Sequence, residues 1–448
     1  MLRSSPLLFL LSLLMMACGN AEERTRLEAP WEIGALTPEW SAVEPKRNLR
    51  IDYDYRLNEE QNGQRLVESL IGLVPGDHLE IASGHYSLAR KCSLNLKGTA
   101  ENPIWIVGDK SRGAVVITRP DRKQNVLNLG ESSRSEYVAL RNLEITGGST
   151  LIRFYDCQNI WLDHCHLHHS GAEGITTNSH DTSHFFITEN HFHDFKEMNA
   201  TGEAMYLGGN HGKAVMSYSV IAGNHVHDCG GQQGDGIELK QGSHHNWIYK
   251  NHVHDTQYPC IIVYGTNGNG LNRVEANLCY RSGDNTMQVQ GEAKVCRNIL
   301  LAAKGAAFAS TDHQGKTTNL SVVHNTIVSR SRGVNLSSWG QRAGMVLANN
   351  AIYTDAGEAI RFPGGASGVT VAGNVVTGRV SGTSKGFVSG AGLEDFMNLT
   401  WDAVHRDARP AKNSKLLSRG ATNYVIAEDY VGNQYQETPS SGALAAVE

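Results

Sequence analysis

Along most of this chain, apolar and polar residues alternate in short runs broken by Gly, Asn or Asp, a period of two that belongs to β-strands. One local pattern, apolar-x-x-Asn-x-apolar, keeps returning: ITENHF, IAGNHV, IYKNHV, VEANLC, VCRNIL, VVHNTI, LANNAI and VAGNVV. The markers Asn190, Asn224, Asn251, Asn277, Asn298, Asn325, Asn350 and Asn374 stand 34, 27, 26, 21, 27, 25 and 24 residues apart, and Cys165 of LDHCHL fits the same slot. A regular spacing that tolerates insertions predicts a solenoid, and the intervals leave no room for an amphipathic helix of about ten residues. Each repeat is expected to be one coil of two or three short strands.

Coils stacked about 4.8 Å apart pair every backbone group with the coil above and below and bring equivalent side chains into line. An Asn at the same inward bend of each coil can bond the next Asn and the bend's own backbone, satisfying groups that would otherwise be buried unpaired. The pentapeptide NHVHD, at 224–228 and 251–255 with the near copy NHFHD at 190–194, reads as one bend written repeatedly. It places His166 and His168, His191 and His193, His225 and His227, and His252 and His254 in matching outward slots. Stacked imidazoles there could hold metal or sugar, or be no more than the repeat chemistry of the bend. His193, His227 and His254 lead toward the loops that would wall a groove, so His254 is a candidate acid or base and His227 a candidate substrate contact.

A second column precedes the markers: TLIRFY, EGITTN, EAMYLG, DGIELK, PCIIVY, NTMQVQ and AAFAST. Alternation turns the third and fifth residues of each inward and the fourth and sixth outward. The outward strip is then Arg153, Tyr155, Thr176, Asn178, Tyr206, Glu238, Lys240, Ile262, Tyr264, Gln288 and Gln290, polar and aromatic as a sugar-chain groove requires. Arg153, Tyr155, Asn178, Gln288 and Gln290 are its candidate substrate contacts. Glu173, Glu203 and Asp235 fall at neighbouring coil edges and, with Glu238, form the densest acidic cluster of the alignment. Glu203, Asp235 and Glu238 offer the hard oxygen ligands that Ca²⁺ takes, or else are loop acids solvated apart from one another. Lys240, two residues from Glu238, is either half of a structural ion pair or a proton acceptor whose amine must be freed by burial or a nearby cation. A base beside a carboxylate-neutralising metal suits removal of the proton alpha to a uronate carboxylate, followed by β-elimination.

Composition limits the alternatives. Gly numbers 47 and Pro only 11, and a net charge of −5 with both signs scattered offers no nucleic-acid surface. The opening carries Arg3, an apolar run from Leu7 to Met16 and small residues around Cys18, which reads as an export signal too short to span a bilayer. MMACG resembles a bacterial lipoprotein cleavage site, implying a lipidated Cys18 and outer-membrane sorting; an ordinary cleaved signal is the alternative. Membrane attachment would then run only through the lipid anchor. Seven later cysteines without CxxC spacing argue against a disulfide framework or a zinc knuckle.

The Asn rhythm together with LVPGDHLEIASGHYSL and GTAENPIWIVGD resembles the right-handed parallel β-helix carbohydrate-active enzymes over roughly residues 50–380. The resemblance implies an all-β, right-handed parallel β-helix divided into a signal peptide (1–18), a linker (19–48), a catalytic domain (49–390) and a C-terminal capping or tail segment (391–448). GDGIELK resembles lyases that use lysine and calcium, among them the alginate and dermatan group and one pectate group. On that likeness Lys240 is the base, Tyr264 or Tyr206 the acid, Ca²⁺ the cofactor, and an anionic polysaccharide the partner of a monomeric enzyme. In the alginate and dermatan group an Arg is expected one coil after the lysine, where this chain has Tyr264. A glycoside hydrolase using Asp235 with Glu238 or Glu203, and a non-catalytic surface protein that binds glycan, remain the alternatives.

Overall fold

The computed structural model describes residues 34–109, 111, 113–196 and 201–446; the expected signal peptide and Cys18 lie outside these residues. Three parallel strand stacks form the faces of a right-handed β-helix. The first runs from Arg47–Ile51 through Cys157–Asp163 and Trp247–Tyr249 to Thr370–Ala372. The second, just after the Asn markers, includes His166–His168, His191–Phe195, His225–Cys229, His252–Thr256 and Leu278–Ser282. The third contains Ile152–Phe154, Ile175–Thr176, Met205–Leu207, Ile237–Leu239, Ile261–Val263, Met287–Val289 and Ala306–Ser310. Its register aligns Arg153, Thr176, Tyr206, Glu238, Ile262, Gln288 and Ala309 across successive coils.

Inward alternation fills the axis of the coil with Ile152, Phe154, Ile175, Met205, Leu207, Ile237, Leu239, Ile261 and Val263, all buried. At one corner the Asn side chains form a continuous ladder. Asn190 Nδ2 donates to Asn224 Oδ1 at 3.0 Å, Asn224 to Asn251 at 2.9 Å and Asn251 to Asn277 at 3.0 Å, and the series continues to Asn374. Each amide also closes its bend: Asn251 Nδ2 donates to Ile221 O at 2.8 Å, and Asn224 N donates to Asn251 Oδ1 at 3.1 Å.

The ladder holds a strained turn. Residues just before the markers adopt left-handed backbone, including Glu189 (φ 53°), Lys250 (φ 51°), Ala276 (φ 54°) and Arg297 (φ 62°). At the other end of the pentapeptide Asp194, Asp228 and Asp255 do the same, at 60°, 56° and 54°. For a residue with a Cβ this costs about 1–2 kcal/mol, which ladder bonds of about 1 kcal/mol each offset. NHVHD is thus a strand held between two left-handed corners.

Helix α1, Glu59–Ile71, begins at a capping box in which Asn58 accepts from Gln61 N and Gln61 accepts from Asn58 N. It buries Leu66, Val67 and Leu70, and Gly63 lets its backbone meet Ser87, whose carbonyl oxygen a Cβ would approach to 2.0 Å. Among the described residues Gly84–Ser87 is an end strand of its stack, paired only with Val115–Arg119. Within the segment expected as a linker, Trp40 packs edge-on against Trp105 at 5.6 Å and Trp161 at 6.2 Å, and the first strand begins at Arg47.

After Ser389 the chain returns along the second stack. Phe396, Leu399, Ala403, Leu416 and Leu444 bury Ile299, Leu301, Val328 and Tyr353. Tyr353 Oη donates to Asp395 Oδ2 at 2.6 Å.

Candidate active site

The third stack carries the polar strip. Tyr206 and Glu238 are direct neighbours in register, and the ladder continues past the strands, with Lys240 N bonded to Leu207 O at 2.8 Å and Tyr264 N to Leu239 O at 3.0 Å. Gly208, at φ +90°, makes room: a Cβ there would lie 3.1 Å from that of Lys240. Four residues from three coils thereby converge. The Lys240 ammonium contacts the Glu238 carboxylate, lies 4.1 Å from the Tyr206 ring centroid and 5.4 Å from that of Tyr264.

These side chains face outward, yet Glu238 is only 3% exposed and Lys240 4%. Loops that the periodic pattern leaves unread cover them. The His313 ring lies 5.3 Å from Tyr264, Gln314 O accepts from Gln241 Nε2, and Gln314 Oε1 accepts from His211 N at 3.3 Å. Gln241 also donates to Asn267 Oδ1 at 3.0 Å. The sequence signal for this cover is three polar, Gly-bearing insertions, GGNHGKA, GTNGNG and STDHQGK, each directly following a strip strand.

Beneath the strip the acids are buried. Glu203 and Asp235 carry both oxygens of the first and Oδ1 of the second without a hydrogen-bond partner among the described residues, and Glu238 Oε2 is likewise unpaired. Burial, with Glu238 and Glu173 adding their charges, pushes Glu203 up to about 7. Burial also raises Asp235 well above the usual carboxylate range, and Glu238 and Glu203 raise it further. Burial raises Glu238 while the Lys240 ammonium pulls it down. The phenols of Tyr206 and Tyr264 are pushed up by burial first and then by the carboxylates, so both stay protonated. Glu173 differs from the other acids, since Thr150 Oγ1 donates to it at 2.7 Å and Thr201 Oγ1 at 3.3 Å.

The other expected contacts fall into three places. Arg153 donates to Asn178 Oδ1 at 2.9 Å and lies over Tyr155 at 5.0 Å, forming a cationic and aromatic corner on earlier coils. Gln290 Oε1 accepts from Gly265 N at 3.2 Å and Gln288 Oε1 from Asn285 Nδ2 at 3.3 Å, on the later side of Tyr264. His227 and His254 stand on the second stack, inside the imidazole array: His227 Nε2 meets His191 at 2.8 Å, and His254 Nε2 meets His225 at 2.9 Å. The seven described cysteines are all buried.

Comparison with known proteins bears on the fold. The family described as right handed beta helix region matches residues 126–272 and 197–352, which together span 126–352, 227 of the 448 residues. No curated protein matches the sequence. XylC, solved in complex with xylose, is similar with a TM-score of 0.54 at 10% identity, over 86% of this chain and 95% of its own. The pectate lyase Pel9A aligns with a TM-score of 0.47 at 13% identity, over 91% of this chain and 98% of its own. AlyGC, an alginate lyase of the PL6 family, aligns with 0.48 at 14% identity, over 90% of this chain but 58% of its own. With its parallel coils, continuous Asn ladder and a family match over half its length, the chain belongs to the right-handed β-helix family.

Proposed function

We propose that this protein is a polysaccharide lyase that cleaves a uronate-containing chain by β-elimination. The observation that carries the reading is the buried contact of Lys240 with Glu238 between two protonated tyrosines. As the base, Lys240 must react as the neutral amine, the form that burial or a nearby cation favours. Lys240 takes the C5 proton, the C4–O4 bond breaks as the C4–C5 double bond forms, and Tyr264 donates its phenolic proton to the departing O4. No water is consumed. Arg153, Tyr155 and Asn178 on one side, and Gln288 and Gln290 on the other, line positions for neighbouring sugars.

The unpaired oxygens of Glu203, Asp235 and Glu238 fit a hard cation, and these residues would hold Ca²⁺. Bound there, the ion would neutralise the uronate carboxylate and lower the barrier to proton removal. The same reading takes the chain as an exported lipoprotein tethered through Cys18 at the outer membrane, on the strength of its opening sequence.

The test is a panel of alginate, pectate and glycosaminoglycan chains incubated with wild type and Lys240→Ala, with and without Ca²⁺. A lyase yields the ultraviolet absorbance of an unsaturated sugar, and the variant loses it. New reducing ends without that absorbance would instead mark a hydrolase. Binding without cleavage, unchanged in the variant, would mark a glycan-binding surface protein.

A further inference from the structure

The second stack presents an array of imidazoles that the elimination chemistry does not use. His166, His191, His225 and His252 form one column, with neighbouring rings stacked at 5.1, 4.9 and 4.7 Å. His168, His193, His227 and His254 form a second, stacked at 5.1, 5.1 and 5.0 Å. The columns are joined across coils by Nε2 to Nε2 approaches of 2.6 Å (His166 and His193), 2.8 Å (His191 and His227) and 2.9 Å (His225 and His254).

A second, independent feature fixes how these rings point their lone pairs. The left-handed Asp that ends each pentapeptide accepts from Nδ1 of the ring before it: Asp194 from His193 at 2.7 Å, Asp228 from His227 at 2.7 Å and Asp255 from His254 at 2.6 Å. A ring whose Nδ1–H is given to a carboxylate carries its lone pair on Nε2, the orientation and added basicity that metal-ligating histidines receive from a carboxylate behind them. Three groups bring their ligand atoms within 4.8 Å of one another: His166 with His191 and His193, His191 with His225 and His227, and His225 with His252 and His254.

The array also stops where the face is covered. From Leu278 onward the equivalent slots hold Leu278 and Tyr280, Ile299 and Leu301, then Thr326 and Val328, on which the returning C-terminal segment packs, with Tyr280 stacked on His254 and its Oη 2.9 Å from His252 Nε2. The eight imidazoles of the array all precede these slots.

We propose that this array binds a borderline divalent metal ion such as Zn²⁺ or Ni²⁺ through the Nε2 atoms of successive coils. Neutral imidazole suits these ions, whereas the oxygen cluster under Lys240 suits Ca²⁺, so the two sites would select different metals. The ion takes both Nε2 atoms of a pair as neutral imidazoles: the proton between them passes to Nδ1 of the ring that held it, and none is released to solvent. Because the middle group shares His191 with the first and His225 with the third, only the first and third can fill together.

The experiment is calorimetric titration of the tag-free chain with ZnCl₂ at neutral pH in excess CaCl₂, alongside Co²⁺ binding followed by its visible ligand-field bands. The expected result is saturable binding at about micromolar concentration or tighter, with cobalt bands of nitrogen coordination. Asp194→Asn, Asp228→Asn and Asp255→Asn combined keep every ring and are expected to weaken binding about 10- to 100-fold. His191→Ala with His225→Ala, checked by circular dichroism for an intact β signal, is expected to abolish it. The absence of saturable Zn²⁺ binding, or binding equally tight in the Asp variant, overturns the proposal.

Discussion

The Lys240 ammonium lies 4.1 Å from the centre of the Tyr206 ring on the preceding coil, so a residue 34 positions earlier forms the wall against which the candidate base rests. A cation over an aromatic face gains about 0.5–2 kcal/mol, most when desolvated. Tyr206→Phe is therefore expected to keep most of the elimination rate and Tyr206→Leu to lower it. Lys240→Ala is expected to lower kcat by about 100- to 10,000-fold, the range that general-base catalysis supplies, read as unsaturated product over time.

Tyr264→Phe preserves the ring against His313 and removes only the phenol. If that group protonates the leaving oxygen, kcat falls by about 100-fold with little change in KM. A poor substrate leaving group should suffer more than a good one. Equal loss for both would remove Tyr264 from the acid role.

Chelation should act through Glu203 and Asp235. EGTA is expected to lower both activity and the unfolding midpoint, and excess Ca²⁺ to restore them, since a ligand bound only by the folded state stabilises by mass action. Asp235→Asn should abolish the Ca²⁺-dependent shift in midpoint. A calcium response that persists unchanged in that variant locates the ion elsewhere.

Stability should fall in mild acid. His191, His225 and His252 bind a proton near 6.5 when unfolded but only near 3 to 4 when folded, burial being the main cause and the facing rings of the array the next. Between those values the unfolded chain holds more protons, so the histidine contribution is complete above about pH 6.5 and is lost as pH falls toward 4. Glu203 has the opposite sign: its folded value near 7 lies above the ordinary 4.5, so its contribution is present below 4.5 and lost as pH rises through 7. Asp235 and Glu238, raised by burial, act in the same direction as Glu203, but the lowered rings, which also include His166, His168, His254 and His324, outnumber these carboxyls, and thermal melts from pH 7 to 5 should show a declining midpoint. His191→Asn with His225→Asn should flatten the decline.

Asn251→Ala deletes an amide that donates to Asn277 Oδ1 and Ile221 O and accepts from Asn224 N and Nδ2. Stranding those buried partners is expected to cost about 2–5 kcal/mol, measured by denaturant unfolding. Val253→Ala, on the same strand but within the apolar axis, should cost about 1–3 kcal/mol through lost burial alone.

The parts of this molecule that repeat were legible, and those that occur once were not. The Asn slots and the inward and outward alternation are local consequences of a fixed period, which is why the register of Tyr206 with Glu238 follows from spacing. The cover over Lys240 depends on Gln314 meeting His211 across 103 positions, a contact that no period encodes. A second, shorter ladder, in which Ser219 N donates to Asn246 Oδ1 and Asn246 to Asn272 Oδ1, went unread because it spans only three coils. Helix α1 lies before the first marker, and its signature, NEEQ followed by apolar residues at helical spacing, is local and outside the repeat.

The contact of Gly63 with Ser87 has a consequence beyond the single chain. A strand stack is an unfinished surface at each end, and a second molecule could extend it by docking its own terminal strand. With helix α1 laid against Gly84–Ser87, that template is blunted. Deleting residues 58–72 should turn a discrete particle into one that polymerises end to end, giving filaments visible by electron microscopy.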